Sequence, residues 1–175
     1  MRPPKLKFSG RILYLTEDPE LLVKQLKENL NLGYDPARAL INNISTDEIT
    51  PGWVCFYYDE TLGEYSMIGL RGGLFSRGSI KDGGFSVIVS GESKGCGSSR
   101  EQAPYSEIAA GIKLVIARSV EKIYGQNCQN IGLLTSTDFS MIPRLLAGET
   151  IEAGEFTRGL DPISADIVSE GGLFA

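Results

Sequence analysis

The stretch FSVIVSGESKGCGSSREQAP, residues 85–104, decides the fold of this 175-residue chain. Its first five residues are mostly apolar and are bounded by glycines, a pattern typical of a buried strand. A glycine-rich loop follows, and a helical pattern then continues to a stop at Gly111. A strand, a loop and a helix in this order predict a β-α unit of a parallel sheet.

Similar patterns lie on both sides of this unit. Further strands are predicted at residues 8–16, 113–117 and 131–134, and the aromatic run at residues 53–58 is β-prone. Further helices are predicted to start at the N-caps Asp18, Ser119 and Asp161, with another near residues 139–146. The expected fold class is therefore α/β, with a mostly parallel central sheet flanked by helices.

The chain divides into three expected parts. Residues 1–35 form a short strand-helix arm packed on the core, residues 36–150 form the main domain, and residues 151–175 form a helical tail. The tail ends in the apolar run Leu173-Phe174-Ala175, whereas a natural terminus is more often polar. We therefore expect the tail to lead into a further domain or to dock on a separate partner.

Composition argues against several classes of function. A net charge of −5 without a long basic run disfavours nucleic-acid binding. No apolar stretch is long enough to span a bilayer, and no signal-peptide pattern is present, so a cytoplasmic protein without a membrane partner is expected.

The chain contains no histidine, so neither a Ser-His-Asp nor a Cys-His site can form within it. The three cysteines, Cys55, Cys96 and Cys128, are widely spaced and do not suggest a metal site or a disulfide framework. We expect no metal in this chain. A catalytic role would require unusual groups or a site shared with another chain.

The glycine-rich loop predicts an anion site, because free N–H groups and the helix dipole favour negative charge at a helix start. Arg100 can bind a carboxylate in bidentate fashion, and Ser98 and Ser99 can donate hydrogen bonds. The spacing fits neither a P-loop nor a dinucleotide fingerprint, which favours a carboxylate over ATP or NAD.

A purely structural role for the serines stays open. Ser98-x-x-Glu101 matches a capping box, in which the serine serves only the helix. Pro104 complicates this interpretation, because its ring fits only the first helical turn and favours a helix that begins after the serines.

Residues 91–104 resemble the signature of the aconitase superfamily's swivel domain, especially the small subunits of isopropylmalate isomerase. Residues 110–119, 127–134 and the polar turn 43–51 extend the similarity to about residues 43–146. The resemblance implies a swivelling β/β/α-type domain that closes over a large subunit or domain carrying a 4Fe-4S iron-sulfur cluster. It also implies dehydration and rehydration of a hydroxy di- or tricarboxylate such as 3-isopropylmalate.

The same resemblance implies roles for five residues. Ser98 takes the position of the catalytic base, and Arg100 that of the residue that binds a substrate carboxylate. Ser99 would assist the same anion. Thr46 and Asp47 fall on the family's active-site turn, where Asp47 would orient Arg100 or a group of the partner.

Three other positions depart from the family pattern or allow two roles. Gln102 stands where the family usually has histidine, and Lys94 where it often has an aromatic residue. Lys94 is interpreted as a solvated side chain or, alternatively, as a cation for a more highly charged acid. Arg71 is a candidate for binding a second carboxylate or an ordinary surface residue.

A non-catalytic carboxylate-binding or regulatory domain with the same fold is the alternative function.

Overall fold

A four-stranded parallel sheet forms the centre of the computed structural model, which describes all of residues 1–175. In spatial order its strands are β2 (Arg11–Tyr14), β3 (Phe85–Ser90), β4 (Leu114–Ala117) and β5 (Leu134–Ser136). A separate antiparallel pair joins β1 (Lys5–Leu6) to β6 (Ile151–Glu152). Every residue of β3 and β4 is buried, as expected for parallel strands covered on both faces.

Six α-helices surround the sheet. They are α1 (Pro19–Lys27), α2 (Thr46–Ile49), α3 (Gln102–Ala109), α4 (Lys122–Ile131), α5 (Met141–Leu146) and α6 (Pro162–Glu170). Short 3-10 helices cover Val54–Phe56, Glu60–Tyr65, Lys81–Gly83 and Ala153–Phe156. None of the helices is both long and apolar enough to cross a membrane.

Side chains along each strand point alternately to the two faces of the sheet, so one hydrophobic core forms on each face. Ile88 and Val115 point into the first core, which α1, α3 and α4 cover. Val87 and Ile116 point into the second core, which α5 and α6 cover. The helices thus flank a parallel sheet, which confirms the fold class expected from the sequence.

The N-terminal strand β2 is an edge strand of the main sheet, where it pairs in parallel with β3. The helix that follows begins as predicted, with the Asp18 side chain accepting from the backbone N–H groups of Glu20 and Leu21. The predicted Asp161 cap of α6 is also confirmed. The division into residues 1–35, 36–150 and 151–175 stays a prediction.

The third predicted strand was misplaced. Residues 131–134 were expected to form it, but α4 continues to Ile131 and the strand begins only at Leu134. Gly132 separates the two elements with a φ of +89°, a left-handed conformation that ends a helix.

Two further local predictions were wrong. Ser119 does not cap α4, because its Oγ accepts a hydrogen bond from the Ser93 N–H at 2.8 Å and the helix begins at Lys122. The aromatic run 53–58 forms no strand, since Val54–Phe56 is a 3-10 helix. Phe56 and Tyr58 point outward with exposures of 84% and 79%, so this run lacks the partner strand that its β propensity would need.

Candidate active site

The glycine-rich loop leaves the carboxyl end of β3, which is the edge where parallel α/β sheets bind ligands. Residues 41–46 run beside this loop and pair with it through the backbone. The bonds are Gly91 N–H to Ile41 O at 3.0 Å, Gly95 N–H to Ile44 O at 2.8 Å and Thr46 N–H to Cys96 O at 2.8 Å. This pairing brings the start of α2 against the loop that precedes α3.

The start of α2 is closed by a complete capping box. Ser45 Oγ accepts from the Glu48 N–H at 3.1 Å, and Glu48 Oε1 accepts from the Ser45 N–H at 3.2 Å. This turn places Thr46 and Asp47 beside the loop. The buried Thr46 hydroxyl donates to the Ser98 carbonyl oxygen at 2.7 Å, which fixes the loop backbone at the serine.

Arg100 and Asp47 form an ion pair across the two segments. Arg100 Nη1 donates to Asp47 Oδ1 at 2.6 Å and to the Thr50 carbonyl oxygen at 3.0 Å. Arg100 Nε and Nη2 have no hydrogen-bond partner in the chain. These two nitrogens lie on one edge of the guanidinium group and can bind a carboxylate in bidentate fashion.

Ser98 and Ser99 are both exposed, and neither caps a helix. Helix α3 begins at Gln102, and its N-cap position, Glu101, makes no side-chain capping bond. Pro104 therefore lies in the first turn, where proline is tolerated. The capping-box interpretation of Ser98-x-x-Glu101 is wrong, and the serine hydroxyls are free of that role.

Arg71 is engaged elsewhere. Its Nε and Nη2 donate to the two carboxylate oxygens of Glu48 at 2.8 and 2.7 Å, and Nη2 also donates to the Asn43 carbonyl oxygen at 2.6 Å. Partial burial acts to raise the pKa of the Glu48 carboxyl, but the hydrogen bonds from Arg71 and the Ser45 amide outweigh it and lower this pKa to about 2. Arg71 thus secures the start of α2, and its role toward a second carboxylate stays a prediction.

Lys94 requires a correction. The sequence suggested a solvated side chain or a cation for substrate, but the side chain is fully buried beneath the loop. Its Nζ donates to both carboxylate oxygens of Glu107 at 3.0 Å and to the Tyr124 hydroxyl at 2.9 Å. The pairing with Glu107 allows the ammonium group to lie inside the protein.

The sequence did contain a signal for these partners. Glu107 shares one face of α3 with Ala103 and Ala110, which are both buried. A carboxylate at a core position requires a buried cation or donor, and Lys94 is the lysine of the loop that precedes this helix.

No group of three or more Cys, Asp or Glu side chains is placed to hold a metal ion. Cys55 and Cys96 are half-buried and Cys128 is buried, where burial raises the pKa of its thiol. The glycine-rich loop itself presents the Ser98 and Ser99 hydroxyls and the Arg100 guanidinium group.

Comparison with known proteins agrees with this geometry. The aconitase C-terminal domain family matches residues 77–138, which contain the loop. The 3-isopropylmalate dehydratase small subunit of Oleidesulfovibrio alaskensis is 33% identical over 152 residues, with 78% of this chain and 89% of that protein covered. The same subunit of Nitratidesulfovibrio vulgaris is 37% identical over 112 residues, with 63% of this chain covered. The chain spans 65% of that relative, a little under two thirds.

A solved structure gives the same result. The crystal structure of 3-isopropylmalate dehydratase from Methanocaldococcus jannaschii is 31% identical and superimposes with a TM-score of 0.54, with 76% of this chain and 85% of that chain covered. Sequence and fold therefore agree, and the chain belongs to the aconitase-like family of 3-isopropylmalate dehydratase small subunits.

Proposed function

We propose that this chain is the small component of an aconitase-like hydro-lyase that isomerises a hydroxy di- or tricarboxylate, such as 3-isopropylmalate, by removing and re-adding water. One observation carries the proposal. Arg100 offers two unpaired nitrogens beside two exposed serines, on a loop at the ligand-binding edge of the sheet. The names of the relatives support the same class of reaction.

Arg100 binds a substrate carboxylate through Nε and Nη2, and Ser99 donates to the same anion. Asp47 and the Thr50 carbonyl oxygen already hold Nη1, so the guanidinium plane is oriented before substrate arrives. Such preorganisation reduces the ordering that binding would otherwise require.

Ser98 is proposed as the base that takes a proton from substrate carbon and returns it on rehydration. A free serine hydroxyl is a poor base, so its alkoxide needs stabilisation by the Arg100 cation and by N–H groups of the loop. Thr46 Oγ1 lies 3.5 Å from Ser98 Oγ and supplies a further polar neighbour.

The partner in this proposal is a large subunit or domain that carries a 4Fe-4S iron-sulfur cluster. The cluster would supply the Lewis acid for the leaving hydroxyl. Trp53, Phe56 and Tyr58 are exposed in the segment after Gly52, and a Cβ on Gly52 would lie 4.0 Å from Arg100 Nη2. Large exposed aromatic side chains beside a binding site are typical of a surface that a partner covers.

The test is reconstitution of the complex with a cluster-loaded large subunit, assayed against a panel of hydroxy di- and tricarboxylates. We expect turnover of at least one acid by the complex and none by this chain alone. Ser98→Ala should lower kcat roughly 100- to 10,000-fold, as expected for loss of a general base. Ser169→Ala, at an exposed serine of α6, is the matched control and should keep wild-type kcat.

Two results would reject the proposal. One is wild-type kcat in the Ser98→Ala complex. The other is tight carboxylate binding by the isolated chain without turnover in any complex, which would instead support the non-catalytic binding or regulatory domain.

A further inference from the structure

Three polar side chains from three different elements meet in the core below the loop. Lys94 lies at the entrance of the loop, Glu107 in the last turn of α3 and Tyr124 in the first turn of α4. Lys94 and Glu107 are completely buried, and Tyr124 is 2% exposed. The group is called the buried triad below.

The buried triad is fully hydrogen-bonded. Lys94 Nζ donates to both oxygens of Glu107 and to the Tyr124 hydroxyl at 2.9 to 3.0 Å. The Tyr124 hydroxyl in turn donates to Glu107 Oε1 at 2.6 Å. None of these atoms belongs to the buried polar atoms that lack a partner. A closed set of this kind holds its members in one arrangement.

The Lys94–Glu107 pair connects the two ends of the glycine-rich loop. Lys94 directly precedes Gly95, and Glu107 belongs to the helix that follows the loop, so their ion pair holds these two ends together. The backbone of Lys94 is also fixed, with its N–H bound to Ser119 O at 3.1 Å and its carbonyl oxygen bound by the Glu121 N–H at 3.0 Å.

Tyr124 connects the triad to the loop directly. A Cβ on Gly95 would lie 2.1 Å from Tyr124 Cγ, so the ring lies against the Gly95 backbone. The Gly95 N–H then bonds to Ile44, and the loop continues to Ser98, whose carbonyl oxygen is held by Thr46. The Tyr124 ring thus bounds the backbone at the start of the segment that leads to Ser98.

Burial of a charged pair is a poor way to gain stability, because the desolvation cost of both ions offsets much of their attraction. Well-packed apolar replacements of such pairs are often as stable or more stable. Stability alone therefore does not explain why these charges are buried. Their position under the glycine-rich loop suggests that they act on the conformation of the loop.

We propose that the buried triad is a positioning device that sets the conformation of residues 95–101 and thereby the position of Ser98. Its catalytic consequence rests on the function proposed above. Arg100 depends less on the triad, because Asp47 and Thr50 of the neighbouring segment hold its guanidinium group. Loss of the triad should therefore impair the serine step more than carboxylate binding.

The test replaces both charges at once, in Lys94→Met combined with Glu107→Leu, so that no unpaired ion remains buried. Amide hydrogen exchange of the full chain is measured across residues 85–110. We expect exchange of the Gly95 and Arg100 amides to accelerate roughly tenfold or more as the loop opens locally. Exchange of the β3 amides should stay at the wild-type rate. In the reconstituted complex, kcat should fall roughly 10- to 100-fold while KM stays within about threefold.

Tyr124→Phe is the second variant, because it keeps the ring against Gly95 and removes only the hydroxyl. It should give a smaller change in the same direction. The control is Arg144→Met combined with Glu155→Leu, which removes a bidentate ion pair at 2.8 and 3.1 Å in the part of the chain around α5. The control should leave loop exchange and kcat at wild-type values.

Wild-type loop exchange and kcat in the folded double variant would overturn the proposal, because the triad would then act only in packing. If the double variant does not fold, Tyr124→Phe decides: faster loop exchange supports the proposal and unchanged exchange overturns it. A wild-type complex without turnover rejects the proposed function, whereas the exchange measurement still decides whether the triad sets the loop.

Discussion

The starts of α2 and α3 carry the same sequence signal and use it differently. Ser45-x-x-Glu48 forms a closed capping box, whereas Ser98-x-x-Glu101 forms none. Pro104 supplies the reason, because a helix begun at Ser98 would place the proline beyond its first turn. The serines before α3 are therefore left free on an exposed loop.

The arginines near the two helix starts differ in the same way. Arg71 is engaged by both oxygens of Glu48 at the start of α2. Arg100 uses only Nη1 within the chain and keeps two nitrogens available. Both starts carry Ser-x-x-Glu and have an arginine nearby, and they differ in whether the donors of that arginine are already satisfied within the chain.

The largest expected effect tests this contrast through the arginines. Arg100→Ala should lower kcat/KM of the reconstituted complex roughly 100- to 1,000-fold, since the variant loses the proposed ion pair with the substrate carboxylate. Arg71→Ala should lower the melting temperature but change kcat/KM less than about tenfold, because its partner is Glu48. Steady-state kinetics and thermal unfolding check both. A comparable loss of kcat/KM in the two variants would break the contrast and restore a second carboxylate site at Arg71.

The next effect concerns the two loop glycines with left-handed backbones. Gly95→Ala places a Cβ 2.1 Å from the Tyr124 ring at a φ of +86°, and it should cost about 3 kcal/mol or more of unfolding free energy. Gly97→Ala, at a φ of +93° with the nearest atoms 3.7 Å away, should cost about 1 kcal/mol. Denaturant unfolding measures both, and equal costs would show that the ring contact does not matter.

A pH effect sharpens the description of the α2 start. The pKa of Glu48 in the folded protein is about 2, below its ordinary value of 4.5. The ionised carboxylate therefore adds to the free energy of unfolding above pH 4.5, and this stabilisation is lost as pH falls toward 2. Because Arg71 is half exposed and solvent weakens the pair, we expect a contribution of about 1 to 2 kcal/mol. Unfolding measured between pH 5 and pH 2 should show a steeper loss in wild type than in Glu48→Gln. Parallel curves would contradict the pairing.

The smallest effect compares the two serines directly. Ser45→Ala should lower the unfolding free energy by about 1 kcal/mol, because a capping bond is lost. Ser98→Ala should change it by less than about 0.5 kcal/mol, because no cap exists there. A larger loss for Ser98→Ala would restore the capping interpretation of that serine.

Much of the fold followed from local sequence patterns. The apolar run of β3, the glycine-rich loop and the caps Asp18 and Asp161 depend on interactions between near neighbours, which a sequence displays. The error at residues 53–58 has a tertiary cause, because an aromatic run becomes a strand only beside a partner strand. The error at residues 131–134 is local, because Gly132 is a typical glycine at a helix end and marks where α4 stops.

The candidate site was only partly accessible from the sequence. Ser98, Ser99 and Arg100 lie in one short motif, and Thr46 and Asp47 were assigned by resemblance to the family's active-site turn. The structure places Asp47 on Arg100, although 53 positions separate them. That contact depends on backbone pairing between residues 41–46 and the loop, which no local pattern specifies.

By itself, the sequence determined the parallel α/β fold, the loop and the residue types that the loop presents, since these depend on periodicity, glycine placement and proline restriction. Only the tertiary structure decided which charged side chains are paired within the chain and which are free to bind a ligand. It buried Lys94 against Glu107, engaged Arg71 with Glu48 and left Arg100 partly free. The physical reason is that the state of a charge is set by its solvent exposure and by partners distant in sequence.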